Sequence, residues 1–365
     1  MHALVTLNRE FAALGFHRKP VGYHFAELLL HLATGVGAAI AFALLPGAIV
    51  RTIALVVMTF GNLGLTTYGH SAAHNGISPR GWINEALLLL TFGLAFGTSA
   101  TWWRNKHNTV HHTTPNVIGL DDDVALLPWF ALTDEEARSG GPRRRWYYRW
   151  QWAIVPIALA LTAFSMMVSS WRFLGTILAD PRRRNGRHAA DAAAIGLHYV
   201  LWIGVPLFWF SGADVVGFYV LRGVLLGYIV FLNAAPAHFP AEARFLSTEG
   251  HADRYSYRRH SDYILLQTST TVNFRAGWLG RLFCCGSQYQ IEHHLFPAIS
   301  HAYYPRMAPI LRAFCEENGY PYQTLGWAEG IWKSLRVFWR PKPVEPALEA
   351  VRRRALREEV PPLSA

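Results

Sequence analysis

Cysteine is almost missing from this chain: three residues in 365, at positions 284, 285 and 315. With no paired spacing, that scarcity excludes a disulfide framework and a cysteine-built zinc module, and it suits a reducing cytoplasmic face. Acidic residues are also few, 24 against 34 basic ones, leaving a formal net charge of +10. Such an excess can serve nucleic acid. Here, however, the basic residues cluster beside apolar runs, as in 143–149 and 182–187, so anionic lipid headgroups fit better and no nucleic-acid partner is expected. There is no internal repeat and no glycine-rich phosphate loop, and residues 1–22 lack the charged, apolar and small-residue order of a signal peptide. They read as a cytoplasmic or interfacial helix, with Leu4, Leu7, Phe11, Leu14 and Phe16 partly at helical spacing.

What the chain has in quantity is apolar length. It is 52% apolar with 14 Trp and 21 Phe, and its mean hydropathy of +0.14 describes a polytopic membrane protein. Residues 27–45 and 49–68 are each long enough to span a bilayer and are joined by Pro46-Gly47. Residues 192–210 and 215–235 form a second such hairpin. The expected fold is an all-α integral membrane protein: four transmembrane helices in two hairpins, interfacial helices, and a cytoplasmic helical cap. Residues 1–25 form the N-terminus, 26–340 a single membrane domain and 341–365 a polar, solvated or membrane-touching tail. Arg18 and Lys19 before the first span place the N-terminus in the cytoplasm, with Arg51 the single basic residue opposing this. Residues 83–101 are nearly membrane-length, but crossing there would carry the chain about 30 Å away from residue 74. They are expected to lie in the interface or fold back, with Trp102 and Trp103 in an interfacial belt or packed on the core. Residues 152–170 carry arginines at both ends, so they read as interfacial or half-inserted. His31 and His198 sit inside spans and read as lipid-interface or packing residues. His251 and His260 read as surface residues, and the vicinal Cys284-Cys285 as packing.

Histidine is the other excess. Seven of the 17 fall in three short boxes: His70-Ser71-Ala72-Ala73-His74, His107-Asn108-Thr109-Val110-His111-His112, and Gln290-Ile291-Glu292-His293-His294-Leu295-Phe296-Pro297. In the first two, i, i+4 spacing sets a pair of imidazoles on one helical face. In the third, adjacent side chains point about 100° apart, so His293 and His294 each face a different ion, which suggests a two-metal centre. One such pair would be ordinary packing, but three boxes beside membrane-length runs are not explained that way. A single zinc is filled by three or four ligands, and the zinc-protease signature needs Glu where Ser71 or Asn108 stands. So many imidazoles point to two iron ions.

The boxes resemble those of the membrane fatty acid desaturase and hydroxylase superfamily, and the Gln-x-x-His-His third box resembles its front-end desaturase branch. Lys106-His107-Asn108, running through Pro115-Asn116 to Gly119-Leu120-Asp121-Asp122-Asp123, is similar to that branch's second box and its downstream residues. Residues 283–309, with His301 and Tyr304-Pro305, are similar to the third box and its tail. The resemblance spans about residues 60–322. Two departures stand out. The branch's first box usually reads His-Asp-x-x-His, where this chain has Ser71, and the His-Pro-Gly-Gly motif of a fused cytochrome b5 domain does not occur. The resemblance implies His70, His74, His107, His111, His112, His293 and His294 as metal ligands, with His238 added from Asn233-Ala234-Ala235-Pro236-Ala237-His238 and Asn233 as a further candidate. Asp121 and Glu292 would hold outward ring nitrogens, although the run 121–123 could equally be a solvated loop or helix cap. Gln290 would be a weak ligand or hydrogen-bond to a metal-bound water.

The implied activity is O2-dependent desaturation, placing a cis double bond in a long-chain acyl group of an acyl-CoA or acyl lipid. No side chain is a strong enough oxidant to take hydrogen from an unactivated methylene, so the cofactor must supply that power. O2 is the co-substrate, and electrons are expected from a separate donor, cytochrome b5 or a ferredoxin with its reductase. A narrow apolar channel between the spans would fix the double-bond position. The rival enzyme readings are a lipid hydroxylase or carotenoid oxygenase of the same superfamily. A different class is a histidine-rich metal-binding or transport protein, which would place its histidines along a path inside the spans.

Overall fold

The computed structural model describes residues 2–247 and 260–345. The readings of His251 and of the tail after residue 345 lie outside the described residues, as does the side chain of His260. The long apolar runs become helices, and among the described residues five are long and apolar enough to cross a membrane: Val21–Leu44, Ala48–Ala73, Val155–Ala179, Gly186–Phe208 and Gly212–His238. Their outer faces leave Leu29, Ile40, Ile53, Val56, Ile157, Leu161, Leu197 and Val216 exposed, an apolar girdle that a water-soluble fold would bury. Exposed Trp82, Trp129, Trp146, Trp150 and Trp209 suit the bilayer edge. This is a mostly helical integral membrane protein.

The helices outrun the apolar stretches that predict them. The second continues beyond residue 68 to carry His70 on its last turn, with His74 as its C-cap, and the fifth runs through Pro236 to end on His238. The count also differs from the expected four. The additional helix, Val155–Ala179, occupies the stretch read as interfacial; its Val155 and Leu159 pack with Ala235 and Phe239 near the end of the fifth helix. The first hairpin closes on small residues: a Cβ on Gly61 would stand 2.2 Å from the backbone nitrogen of Gly35, so the two helices approach backbone to backbone.

Residues 83–101 do fold back. Helix Gly81–Phe96 is followed by Ala100–His111 at 111°, and the turn between them dips among the long helices. Carbonyls freed at such a turn cost several kcal/mol each in hydrocarbon unless something donates to them. Three helices supply the donors. Trp171 Nε1 donates to Gly97 O at 3.0 Å, His198 Nδ1 lies 2.8 Å from Leu94 O, and Arg222, stacked over Trp202, donates to Ala95 O. The helix restarts on Asp191, whose carboxylate accepts from Ala100 N at 2.7 Å, Thr101 N at 2.9 Å and the hydroxyls of Ser99 and Thr101. His198 is thus part of this clamp and does not face lipid; its other nitrogen lies 2.8 Å from Tyr219 OH. His31 is buried too, with Nε2 3.2 Å from Cys285 Sγ. Trp102 is buried and Trp103 stacks on Phe92 and His107, so both pack on the core.

Beyond one end of the long helices lies the cap. Helix His2–Ala13 buries Leu7 and Phe11 against Phe296, Met307 and Leu311. The all-α expectation needs one amendment here, because two small parallel sheets tie the cap together. Phe245–Ser247 lies between Val117–Ile118 and Val344–Glu345, and Asn273–Arg275 pairs with Thr324–Gly326.

Candidate metal centre

Each histidine box reaches the cap end of the bundle on a different element. His70 and His74 come from the end of Ala48–Ala73, and His107, His111 and His112 from the helix that leaves the re-entrant turn. His238 ends Gly212–His238, and His293 and His294 lie on Gln290–Leu295. Their nitrogens gather in two groups. His70, His74, His107, His112 and His293 form one, and His111, His238 and His294 form the other, with the ligating atoms of each group within 4.8 Å of one another. His112 and His294 stack between the groups at 4.2 Å. The adjacent pair His293 and His294 therefore divides between the groups, as the geometry of the third box suggests.

The second box divides too, through a winding that its i, i+4 spacing did not foretell. Arg104–His111 is a π-helix, and His112 N donates to His107 O at 3.0 Å, an i+5 bond. Winding looser than an α-helix brings residues i+4 and i+5 to either side of residue i. His112 Nε2 then lies 3.1 Å from His107 Nε2 in the first group, while His111 turns to the second. The pair that i, i+4 spacing sets on one helical face is thus divided between the two groups, and the same two rings also come within 4.8 Å of each other beside Asp123.

The donor set fits a cation. His107 Nε2 lies 2.7 Å from His70 Nε2 and 3.1 Å from His112 Nε2, and His112 Nε2 lies 3.0 Å from His293 Nε2. A neutral imidazole nitrogen offers one in-plane N–H or one lone pair, so neither His107 nor His112 can be hydrogen-bonded to both neighbours. A metal ion taking one lone pair from each removes the conflict. His74 Nε2 and His294 Nε2 are buried with no hydrogen-bond partner, an expensive state that a ligand bond relieves. Burial pushes His107, His112, His293 and His294 well below the ordinary imidazole range, keeping them in the ligating form. Burial pulls on His111 as well, but the Asp121 carboxylate 2.9 Å from its Nδ1 outweighs it and raises that pKa.

The outward nitrogens are held as metal ligands require. Asp121 takes His111 Nδ1, as expected. Gln267 Oε1 accepts from His294 Nδ1 at 2.8 Å while its amide donates to His112 O at 2.9 Å, and Tyr304 OH lies 3.4 Å from His293 Nδ1. Neither Gln267 nor Tyr304 was singled out from sequence as an orienting residue; an isolated Gln in an ordinary helical stretch carries no signal. Gln290 places its amide nitrogen 2.9 Å from His238 Nε2. Two expectations are corrected. Glu292 holds no imidazole, because it points away from its neighbours' nitrogens and accepts from Tyr322 OH at 2.5 Å and Asn273 Nδ2 at 2.8 Å. Asn233, five residues before His238 and so on another face of the helix, accepts from Ser287 Oγ at 2.8 Å. Asn116 has the connecting role instead, donating to His238 O at 2.8 Å and Thr270 O at 3.0 Å.

Membrane-length helices with eight buried or half-buried imidazoles in two groups at one end define a membrane protein whose histidine boxes are fit to hold metal. The chain belongs to the fatty acid desaturase family, whose profile, "Fatty acid desaturase", matches residues 46–326. Among its relatives, "Fatty acid desaturase 3" of Homo sapiens is 28% identical over 306 residues, covering 82% of this chain and 63% of the human one. "Delta(5) fatty acid desaturase fat-4" of Caenorhabditis elegans is 26% identical, covering 74% of this chain and 59% of the relative. The "sn-1 linoleoyl-lipid 6-desaturase" of Arthrospira platensis is 30% identical, covering 74% and 72%. The chain thus spans about six tenths of the length of the first two.

Proposed function

We propose that this protein is an O2-dependent fatty acyl desaturase that places a cis double bond in a long-chain acyl group. The observation that carries the reading is the pair of imidazole groups, five and three nitrogens, one residue apart along the third box. Five nitrogens around one position exceed the four of a structural zinc site, and an all-imidazole set of this size suits iron. His70, His74, His107, His112 and His293 would hold one iron, and His111, His238 and His294, beside Gln290, the other. When bound, the iron pair with O2 and two external electrons supplies the oxidising power to remove hydrogens from adjacent methylenes, which no side chain possesses. The chain's own residues do the rest. Asp121, Gln267 and Tyr304 keep the ligating nitrogens aimed inward, and burial of the boxes excludes bulk water from the reacting carbons.

Both family and names support an acyl substrate, carried as an acyl-CoA or acyl lipid, and the reaction draws its two electrons from a redox donor such as cytochrome b5 or a ferredoxin with its reductase. The "Delta(5)" and "6-desaturase" names of the relatives favour a new bond on the carboxyl side of an existing one, in keeping with Gln290 in the third box. The topology that accompanies this reading has four spans, with Val155–Ala179 half-inserted between its basic flanks and all boxes on the cytoplasmic side. Gas chromatography with mass spectrometry of lipids from an expressing host, fed saturated and unsaturated precursors, tests the reaction. A cis alkene that requires O2 is expected. A hydroxylated product would move the protein to the hydroxylase class, and a bond on the methyl side of an existing one would discard the front-end position.

A further inference from the structure

Apart from the two histidine groups, a buried polar cluster joins the first long helix to the segment after the third box. Glu27 lies at its centre, on Val21–Leu44, with His24 one turn before it and His301 arriving from the far end of the chain. Glu27 Oε2 is 3.2 Å from His24 Nδ1 and 2.9 Å from His301 Nε2, and Tyr23 OH donates to Glu27 Oε1 at 3.2 Å. The far nitrogens meet hydroxyls: His24 Nε2 is 2.8 Å from Ser300 Oγ and His301 Nδ1 is 3.1 Å from Ser71 Oγ. The hydrogens close without conflict. Two neutral rings, each directing its N–H at Glu27 and accepting from a serine with its other nitrogen, satisfy every one of these contacts.

Both ends of this cluster abut the metal centre. Ser71 follows His70, and the short turn His301–Tyr303 leads directly into Tyr304, whose hydroxyl faces His293 Nδ1. Ser71 offers only a hydroxyl to His301, so the charge that fixes this imidazole comes from another helix. We propose that Glu27 is a positioning residue for the metal centre: it fixes His301, and through His301 it sets His70 by way of Ser71 and His293 by way of Tyr304. This rests on reading the eight histidines as an iron site.

Glu27→Gln keeps the size of the side chain but removes its charge and leaves one neutral acceptor oxygen where His24, Tyr23 and His301, which lies against both carboxylate oxygens, now share two, so His301 is held more weakly. Iron should then be lost to a chelator about tenfold faster and kcat should fall by a similar factor with KM unchanged, the scale seen when a group holding a metal ligand is removed. Ser71→Asp in the same chain puts a carboxylate on the opposite side of His301, where it can hold the ring through Nδ1. The double variant should recover most of the iron retention. Wild-type iron retention in Glu27→Gln overturns the proposal, and so does a folded double variant that recovers nothing. If Glu27→Gln does not fold, Ser71→Ala removes only a hydroxyl and must show faster iron loss for the proposal to stand. A third metal in the wild type, zinc by elemental analysis, that disappears in Glu27→Gln would overturn it in favour of a cation site. Wild type that holds iron without desaturating would refute the proposed reaction, while the chelator comparison still decides Glu27.

Discussion

Gln267 holds two boxes at once, His294 through its oxygen and the backbone of His112 through its nitrogen. Gln267→Ala should therefore lower turnover about 10- to 100-fold, with weaker iron retention, because a group that orients a ligand is worth about that much. Turnover and iron content measured on the same preparation check it, and a normal value for both would remove Gln267 from the site. Alanine at His70, His107, His112, His293 or His294 should abolish activity outright while the protein still inserts, since each contributes a lone pair that no neighbour can replace. Full activity in any one variant would strike that residue from the ligand set. At this scale the sequence was informative where chemistry recurs in pattern. Boxes of histidine announce themselves, whereas Glu292, inside a box, turns to Tyr322 and Asn273, and only the placement of those partners decided so.

The re-entrant pair Gly81–Phe96 and Ala100–His111 is the element on which the second box depends. Asp191 satisfies two amides and two hydroxyls at the restart of the helix, so Asp191→Ala should cost about 2 kcal/mol or more as a lost cap with stranded donors. A lower melting temperature in detergent, accompanied by weaker iron binding, is the expected result; an unchanged melt would mean that the cap contributes nothing. The first hairpin offers a second test. Gly61→Ala sets a methyl against the backbone of Thr34 and Gly35 at 2.2 to 2.4 Å, and forcing the helices apart should cost about 1–3 kcal/mol. Apolar length predicted these helices and the need to reunite the boxes predicted the fold-back. The donors at its tip, Trp171, His198 and Arg222, come from three other helices, and no local pattern links them.

For the molecule as a whole, purified protein should carry about two irons per chain, as the two groups of nitrogens require; stripping the metal should abolish activity and ferrous iron should restore it. Topology is open to labelling, because Cys284, Cys285 and Cys315 are all buried. Asn185→Cys should react from the same side as the boxes and Ala213→Cys from the opposite side; the reverse for residue 185 would make Val155–Ala179 a true span. By itself the sequence determined that the protein is helical and lives in a membrane, since only runs of this length and apolarity can satisfy a backbone in lipid. It also determined that three boxes of imidazole must meet. Tertiary structure decided the rest: which histidine joins which group, the π-winding that separates His111 from His112, and the link of Glu27 to His301 across 274 residues of chain. Those outcomes depend on directions in space set by packing between distant segments, and neither periodicity nor spacing along one segment records them.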